Sequence, residues 1–430
     1  MSTATAKTES QQLTFDFRES ADGRRARLAI GSLLLVAAAL LGFLTLSANG
    51  IADFALSDAF AAVQLPTISF PGVPVVATSA FLCLLAGAGF LSGKLTKKQP
   101  TIAGTVAGLA FVTGFLAWAA AGSELPFPVS NQLAGTIATA TPLILGALAG
   151  VIGERAGVVN VAIEGQFLTG AFAAALVGSV TKSISAALFA AVLAGVATAA
   201  VLGLFAIKYL VDQVVLGVVI NLLASGLTGF LFDQLVQPNS GDLNSAPLLE
   251  TIPIPLLADI PLAGPIFFNQ TILVYLAVLS IGLVWFLLFR TRWGLRVRAV
   301  GEHPKAADTV GISVTAVRWQ AVLVAGVFAG LGGAFFTVGS TGSFAKDITV
   351  GNGFIALAAL IMGRWHPVMA AVMALFFGFV MQMASQLQTL STPVPSQFLL
   401  ILPYIATIVA VAGLIGRTRA PAADGIPYVK

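Results

Sequence analysis

The sequence predicts an all-α fold: a polytopic transmembrane helical bundle of about 10–12 spans with broken or re-entrant segments. Three observations carry this. Of 430 residues, 57% are hydrophobic and 9% are charged, whereas a soluble domain carries roughly 25% charged residues. The mean hydropathy is +0.95. Apolar runs of about 20 residues, the length that crosses the hydrocarbon of a bilayer, recur through the chain. Such a composition cannot cover a water-facing surface with polar groups. It excludes a soluble enzyme, a disordered protein and a disulfide-stapled secreted domain.

In chain order, apolar runs cover residues 28–47, 74–93, 101–121 and 133–152. The next are 165–180, 185–207, 214–232 and 271–288, followed by 316–338, 354–362, 367–385 and 398–415. The run 354–362 is too short to cross, so it reads as re-entrant or as half of a broken helix. The polar stretch 1–27 is a tail. The run after it exceeds the roughly 7–15 residues of a signal-peptide core, which makes it an uncleaved first helix. Residues 237–266 contain Pro238, Pro247, Pro253, Pro255, Pro261 and Pro265 and cannot form one long helix. They read as a small cap or loop outside the membrane. The 44 glycines suit helices whose backbones approach closely.

Basic residues set the orientation. With Arg24, Arg25 and Arg27 in the cytoplasm, these spans place Lys94, Lys97, Lys98, Lys208, Arg290, Arg292, Arg296, Arg298, Lys305 and Arg318 on the same side, and Arg364, Arg417, Arg419 and Lys430 follow provided the short run 354–362 completes a crossing. Only Lys182 and Lys346 fall outside, along with acids such as Asp58 and Asp347. The expected location is the cytoplasmic (inner) cell membrane, multi-pass, with both termini in the cytoplasm.

Signatures of catalysis are missing. The sequence has no G-x-x-x-x-G-K-[ST], H-E-x-x-H or G-x-S-x-G. A single Cys83 and the pair His303 and His366 leave no disulfide and no metal site built from Cys or several His. The net charge of +4 is too small to argue for nucleic acid. The weight moves to transport, with no catalytic residue, no metal and no cofactor bound by this chain. An intramembrane enzyme would need a catalytic pair that is not evident, and a scaffold without a solute is a further alternative.

Two polar regions interrupt the apolar background. The first is 153–166, with Glu154, Arg155 and Glu164 among Gly153, Gly157 and Gly165. A charge at membrane depth costs roughly 2.5–3.5 kcal/mol on insertion scales and persists where it is paired or faces water. One reading is an unwound, Gly-hinged segment lining a polar path, with Asn160, Glu164 and Gln166 turned inward. The other is a plain cytoplasmic turn in which Glu154 and Arg155 form a solvated pair. The second region, 290–312, is the longest polar cytoplasmic loop. Pro304 suits the first turn of a short helix over 305–310 that Gly311 ends. That helix either docks into a partner protein or belongs to a basic loop held against anionic lipid.

Other features have plain structural readings. Gly146 and Gly150, and Gly326 and Gly330, are small-xxx-small pairs for helix packing within or between subunits. Asp212 and Gln213 sit near a helix entrance. Asn221 lies deeper, where it either bonds a ligand or links helices. Trp118, Trp285 and Trp293 suit the aromatic belts at the membrane surfaces. Phe335, Phe336, Phe344 and Phe354 either stack on a planar ligand or, as is usual for Phe in such a chain, pack in the core or face lipid.

At these regions the chain resembles the permeases of ABC importers for simple sugars and nucleosides, relatives of the branched-chain amino-acid permeases. The resemblance rests on Thr141-Pro142-Leu143-Ile144-Leu145-Gly146, on Glu154-Arg155-Ala156-Gly157-Val158-Val159-Asn160 and on Ile163-Glu164-Gly165. Gly294-Leu295-Arg296-Val297-Arg298-Ala299-Val300-Gly301, with Pro304, Ala306 and Ala307, is similar to the family's coupling loop. Gly330-Leu331-Gly332-Gly333-Ala334 and Gly351-Asn352-Gly353-Phe354-Ile355-Ala356-Leu357-Ala358 also look like the family. A departure is Ala162, which stands where the family has Gly and would stiffen the hinge slightly. Residues 133–417 are then the permease core, 28–132 extra N-terminal transmembrane helices, and 1–27 and 418–430 cytoplasmic tails.

The resemblance implies a division of labour. An extracellular solute-binding protein delivers the solute, two permease subunits (identical or paralogous) form the path, and cytoplasmic ABC ATPase subunits use ATP. The expected function is the permease of a nucleoside importer. The alternatives are a permease for a simple sugar such as ribose or galactose, and a proton-coupled secondary transporter with Glu164 as the proton carrier. Asn160, Glu164, Gln166 and Asn221 are the expected substrate-path residues. Gly301, Glu302, His303, Pro304, Ala306, Ala307 and Asp308 are the expected ATPase-coupling residues.

Overall fold

The computed structural model describes residues 21–57, 63–95, 98–390, 401, 404–405 and 419–430. Asp58, Lys97, Arg417 and the expected span 398–415, apart from residues 401 and 404–405, lie outside the described residues.

Ten helices among the described residues are long and apolar enough to cross a membrane. The first three form a bundle of their own: α1 (Ala21–Leu44), α2 (Gly72–Ser92) and α3 (Gln99–Ala120). Arg27 donates to the carbonyls of Phe90 and Leu91 at 2.7 and 3.1 Å, so the basic start of α1 lies at the α2–α3 turn. At the other end, β1 (Ile51–Ala55) pairs antiparallel with β2 (Ile68–Pro71) and parallel with β3 (Phe127–Pro128). Trp118 is buried and donates to Ser47 at 2.9 Å, locking α3 to the end of α1. It is a packing residue and not a belt residue.

The core begins with α4 (Val129–Arg155), α5 (Ile163–Thr181), α6 (Ile184–Gly203) and α7 (Gln213–Leu231). Asp212 caps α7, accepting from the amides of Val214 and Val215 at 3.0 and 2.9 Å. The proline-rich stretch forms no long helix: it holds a short α8 (Ser240–Leu243), then β4 (Thr251–Pro253) paired with β5 (Asn269–Thr271). Next comes α9 (Ile272–Arg290). Residues read from sequence as loop then fold into α10 (Arg292–Glu302). Thr291 caps it, and its apolar residues Val297 and Val300 are buried. The expected short helix is α11 (Pro304–Thr309), with Pro304 in its first turn and Gly311 beyond its end at φ 83°. The chain continues through α12 (Val314–Phe336), a π-helical turn (Thr337–Thr341), the short α13 (Asn352–Met362) and α14 (Pro367–Thr389).

Both glycine pairs pack within this one chain. A Cβ at Gly146 would meet Phe167 and Ala356, and one at Gly150 would meet Leu360. Gly326 and Gly330 bring α12 against the backbone of α6 at Gly195 and Ala191. The N-terminal bundle packs on the far end of α14 through Met383, Ala384, Leu387 and Leu390.

Candidate functional site

The chain reverses sharply after α4. Gly157 takes φ 83°, a left-handed turn that favours glycine. At Ala162, by contrast, φ is −77°, an ordinary value that any residue adopts. The hinge turns at Gly157, so Ala162 does not disturb it.

Residues 158–166 are stitched to α7. Gln213 accepts from the Val159 amide at 2.7 Å. Asn221 donates to the Val161 carbonyl at 3.0 Å and accepts from the Gly165 amide at 2.8 Å. Asn160 and Gln166 are buried and exchange two hydrogen bonds, of 3.1 and 3.3 Å. Asn221 therefore links helices. Asn160, Gln166 and Asn221 thus gather at this segment with their polar groups occupied by one another and by backbone, whereas Glu164 turns to α13.

Glu164 joins two broken helices. It lies in the first turn of α5, and its carboxylate caps the start of α13. One oxygen accepts from the Thr349 hydroxyl at 2.5 Å and the Gly351 amide at 2.8 Å; the other accepts from the Gly353 amide at 2.6 Å. First-turn amides have no partner inside their own helix, and each helix N-terminus carries about half a positive charge. A carboxylate between two such ends is compensated without a cationic partner. Gly353 is required here, because a Cβ would collide with the backbone of Glu164.

The basic end of the bundle is held differently from either sequence reading. Glu154 and Arg155 form no solvated pair. Glu154 is buried and accepts from the Trp365 indole at 2.5 Å, while Arg155 donates to the Trp365 carbonyl at 2.9 Å. Both clamp the turn between α13 and α14, where Arg364 and Trp365 take φ 54°. Beside them, burial and the charge of Arg155 lower the His366 pKa from its usual value.

The C-terminal tail closes this face. Arg318 is buried and donates to the carbonyls of Ala156 at 3.2 Å and Ile426 at 3.0 Å. The Ala423 amide donates to Gly301 at 2.8 Å, and the Ala422 amide to Glu302 at 3.2 Å. Burial pushes the Asp424 carboxyl up to about 7, against the pull of the Gly425 amide and of Arg318. No sequence signal pointed to this tail.

The expected coupling residues divide by accessibility. Gly301 and Ala307 are buried, whereas Glu302, His303 and Ala306 are exposed. A Cβ at Gly301 would collide with the Arg155 carbonyl, so this glycine seats α10 on the end of α4. Of the four expected stacking residues, Phe335, Phe336 and Phe344 pack against one another, Phe167, Phe172 or Phe232. Phe354 is 48% exposed.

Residues 132–414 match the family described as branched-chain amino acid transport system / permease component. The chain is 43% identical to the guanosine ABC transporter permease protein NupQ of Bacillus subtilis, over 69% of this chain and 95% of that relative. It is 39% identical to the nucleoside ABC transporter permease protein NupC of Lactococcus lactis, over 69% and 96%. A putative glucose ABC transporter permease protein of Haloferax volcanii is 34% identical, over 67% and 93%. No solved structure matches.

Proposed function

The chain belongs to the family of branched-chain amino acid transport system permease components, and from that premise we propose that it is the permease subunit of an ATP-driven importer of nucleosides. It is a multi-pass membrane protein. The observation that carries the nucleoside reading is the 43% and 39% identity to permeases named for guanosine and nucleosides, each matched over nearly its whole length.

Several finer points follow as proposals. ATP is bound and hydrolysed by a separate ABC ATPase, since this sequence has no P-loop. The second permease is a paralogue. In support, the chain is also 25% identical to a second guanosine permease, NupP, of the organism that has NupQ. An extracellular solute-binding protein delivers the nucleoside. The basic end faces the cytoplasm, as the positive-inside rule requires. There the exposed His303 and Ala306, with Glu302 and Asp308, meet the ATPase. Asn160, Glu164, Gln166 and Asn221 are positioning residues that fix the shape of the solute path.

The proton-coupled alternative is disfavoured by the state of Glu164. Both of its oxygens accept hydrogen bonds at the end of α13, which suits a fixed cap.

Uptake of tritiated guanosine and of tritiated ribose, in cells with and without this gene, tests the proposal. Guanosine uptake that disappears with the gene or with ATP, and survives collapse of the proton gradient, is the expected result. Gene-dependent uptake of ribose alone, or uptake lost with the proton gradient while ATP is maintained, overturns it.

A further inference from the structure

Residues 342–351 were expected to lie beyond the membrane, yet they descend along α7. At the top, the Phe344 amide donates to Asn244 at 2.7 Å and the Phe344 carbonyl accepts from it at 3.0 Å. Lower down, Lys346 pairs with Asp233 at 2.6 Å. Ser225 donates to Asp347 at 2.7 Å. At the foot, Thr349 and Gly351 reach Glu164. Ser225 is twelve residues past the start of α7 at Gln213, about 18 Å along the helix and near the middle of a hydrocarbon layer of about 30 Å.

Asp347 is therefore an exposed carboxylate at membrane depth. Against lipid it would cost roughly 2.5–3.5 kcal/mol, and such groups persist where they face water or a polar partner. Along α7 and into the π-helical turn that follows it (Phe232–Val236), a small or polar residue stands at every fourth position: Asn221, Ser225, Gly229 and Asp233. Leu223, turned about 200° from Ser225 at 3.6 residues per turn, is 59% exposed and suits lipid. The segment is also held in unusual backbone. Asp347 and Val350 take φ 52° and 46°, and left-handed backbone at a β-branched residue marks strain that clusters at ligand sites. At the foot, the Phe354 ring lies 3.8 Å from where a Gly351 Cβ would be.

We infer that residues 344–354 and the stretch Ser225–Asp233, at the end of α7 and in the turn after it, form one wall of the solute path, where Asp347 accepts from the ribose hydroxyls of a nucleoside and Phe354 stacks on its base. This rests on the nucleoside reading above. A nucleoside combines neighbouring hydroxyl donors with a flat aromatic face, the two features that a carboxylate and a phenyl ring recognise.

Cysteine accessibility tests the wall in intact cells carrying the whole transporter, because Cys83, the single native cysteine, is buried. Ser225→Cys is expected to react with a membrane-impermeant thiosulfonate, and guanosine, but not glucose, is expected to slow the reaction. Leu223→Cys is expected to stay unlabelled. At equal membrane abundance, Asp347→Asn should raise the KM for guanosine about tenfold, the effect of weakening hydrogen bonds to a charged acceptor. Phe354→Ala should raise it about fivefold or more, the effect of one lost base–aromatic stack. Where wild-type cells take up guanosine, silence of Ser225→Cys, labelling that guanosine leaves unchanged, or an unaltered KM in both of the other variants overturns the wall. If wild-type cells take up no nucleoside, the function itself fails and the inference falls with it.

Discussion

Glu164 is an acid that a membrane helix tolerates because three donors surround it. Replacing it by Gln removes the charge and turns an amide donor toward amide donors. Glu164→Gln should cost about 1–3 kcal/mol, the penalty for leaving buried polar groups poorly paired, seen as a lower unfolding temperature in detergent. Asp424 makes a second residue-scale prediction. Its usual pKa is 3.8 and its folded value about 7. Below 3.8 the carboxyl is protonated whether or not the tail is docked; between 3.8 and about 7 the docked form alone holds the proton. Docking should therefore weaken as pH rises through that window and be weakest above it. Limited proteolysis of the tail across that range measures this. Asp424→Asn should flatten the dependence, and an equally steep profile in that variant would sink the idea.

Among the elements, α10 and α11 separate seating from docking. Gly301 presses on the end of α4 and receives the tail, whereas Ala306 is exposed. Gly301→Val should lower both stability and uptake, since the added atoms collide with backbone that cannot yield. Ala306→Trp should leave the unfolding temperature unchanged but break the link between ATP hydrolysis and uptake. Parallel melting and ATPase-coupled uptake assays distinguish the two, and full coupling in Ala306→Trp would show that this face meets no ATPase. α10 itself was legible: a capping Thr291, then apolar Trp293, Val297 and Val300 at helical spacing between arginines. The length of the polar stretch obscured that period.

For the whole molecule, the N-terminal bundle and the permease core meet through the outer end of α14. The family match begins at residue 132, and matches to 69% of this chain cover 95% and 96% of the two relatives. A chain lacking residues 21–120 should therefore insert and carry guanosine with its partners, at reduced stability because Met383 and Leu387 lose their cover. Uptake per copy of membrane protein measures this. Complete loss of uptake in a chain that still inserts would assign α1–α3 a place in the transport cycle.

The sequence by itself determined the membrane class, the described spans from α2 to α14 to within a few residues, the short helix before Met362 and the family, because each rests on apolar length or on local order of residues. It also marked Asn160, Glu164, Gln166 and Asn221 as a polar set. Tertiary structure alone decided what those groups do. Glu164 and Thr349 are far apart in the chain, as are Arg318 and Ile426 or Ser225 and Asp347. Whether a polar side chain caps a helix, holds a tail or faces water is fixed by the partner the fold brings to it, and no local pattern encodes that partner.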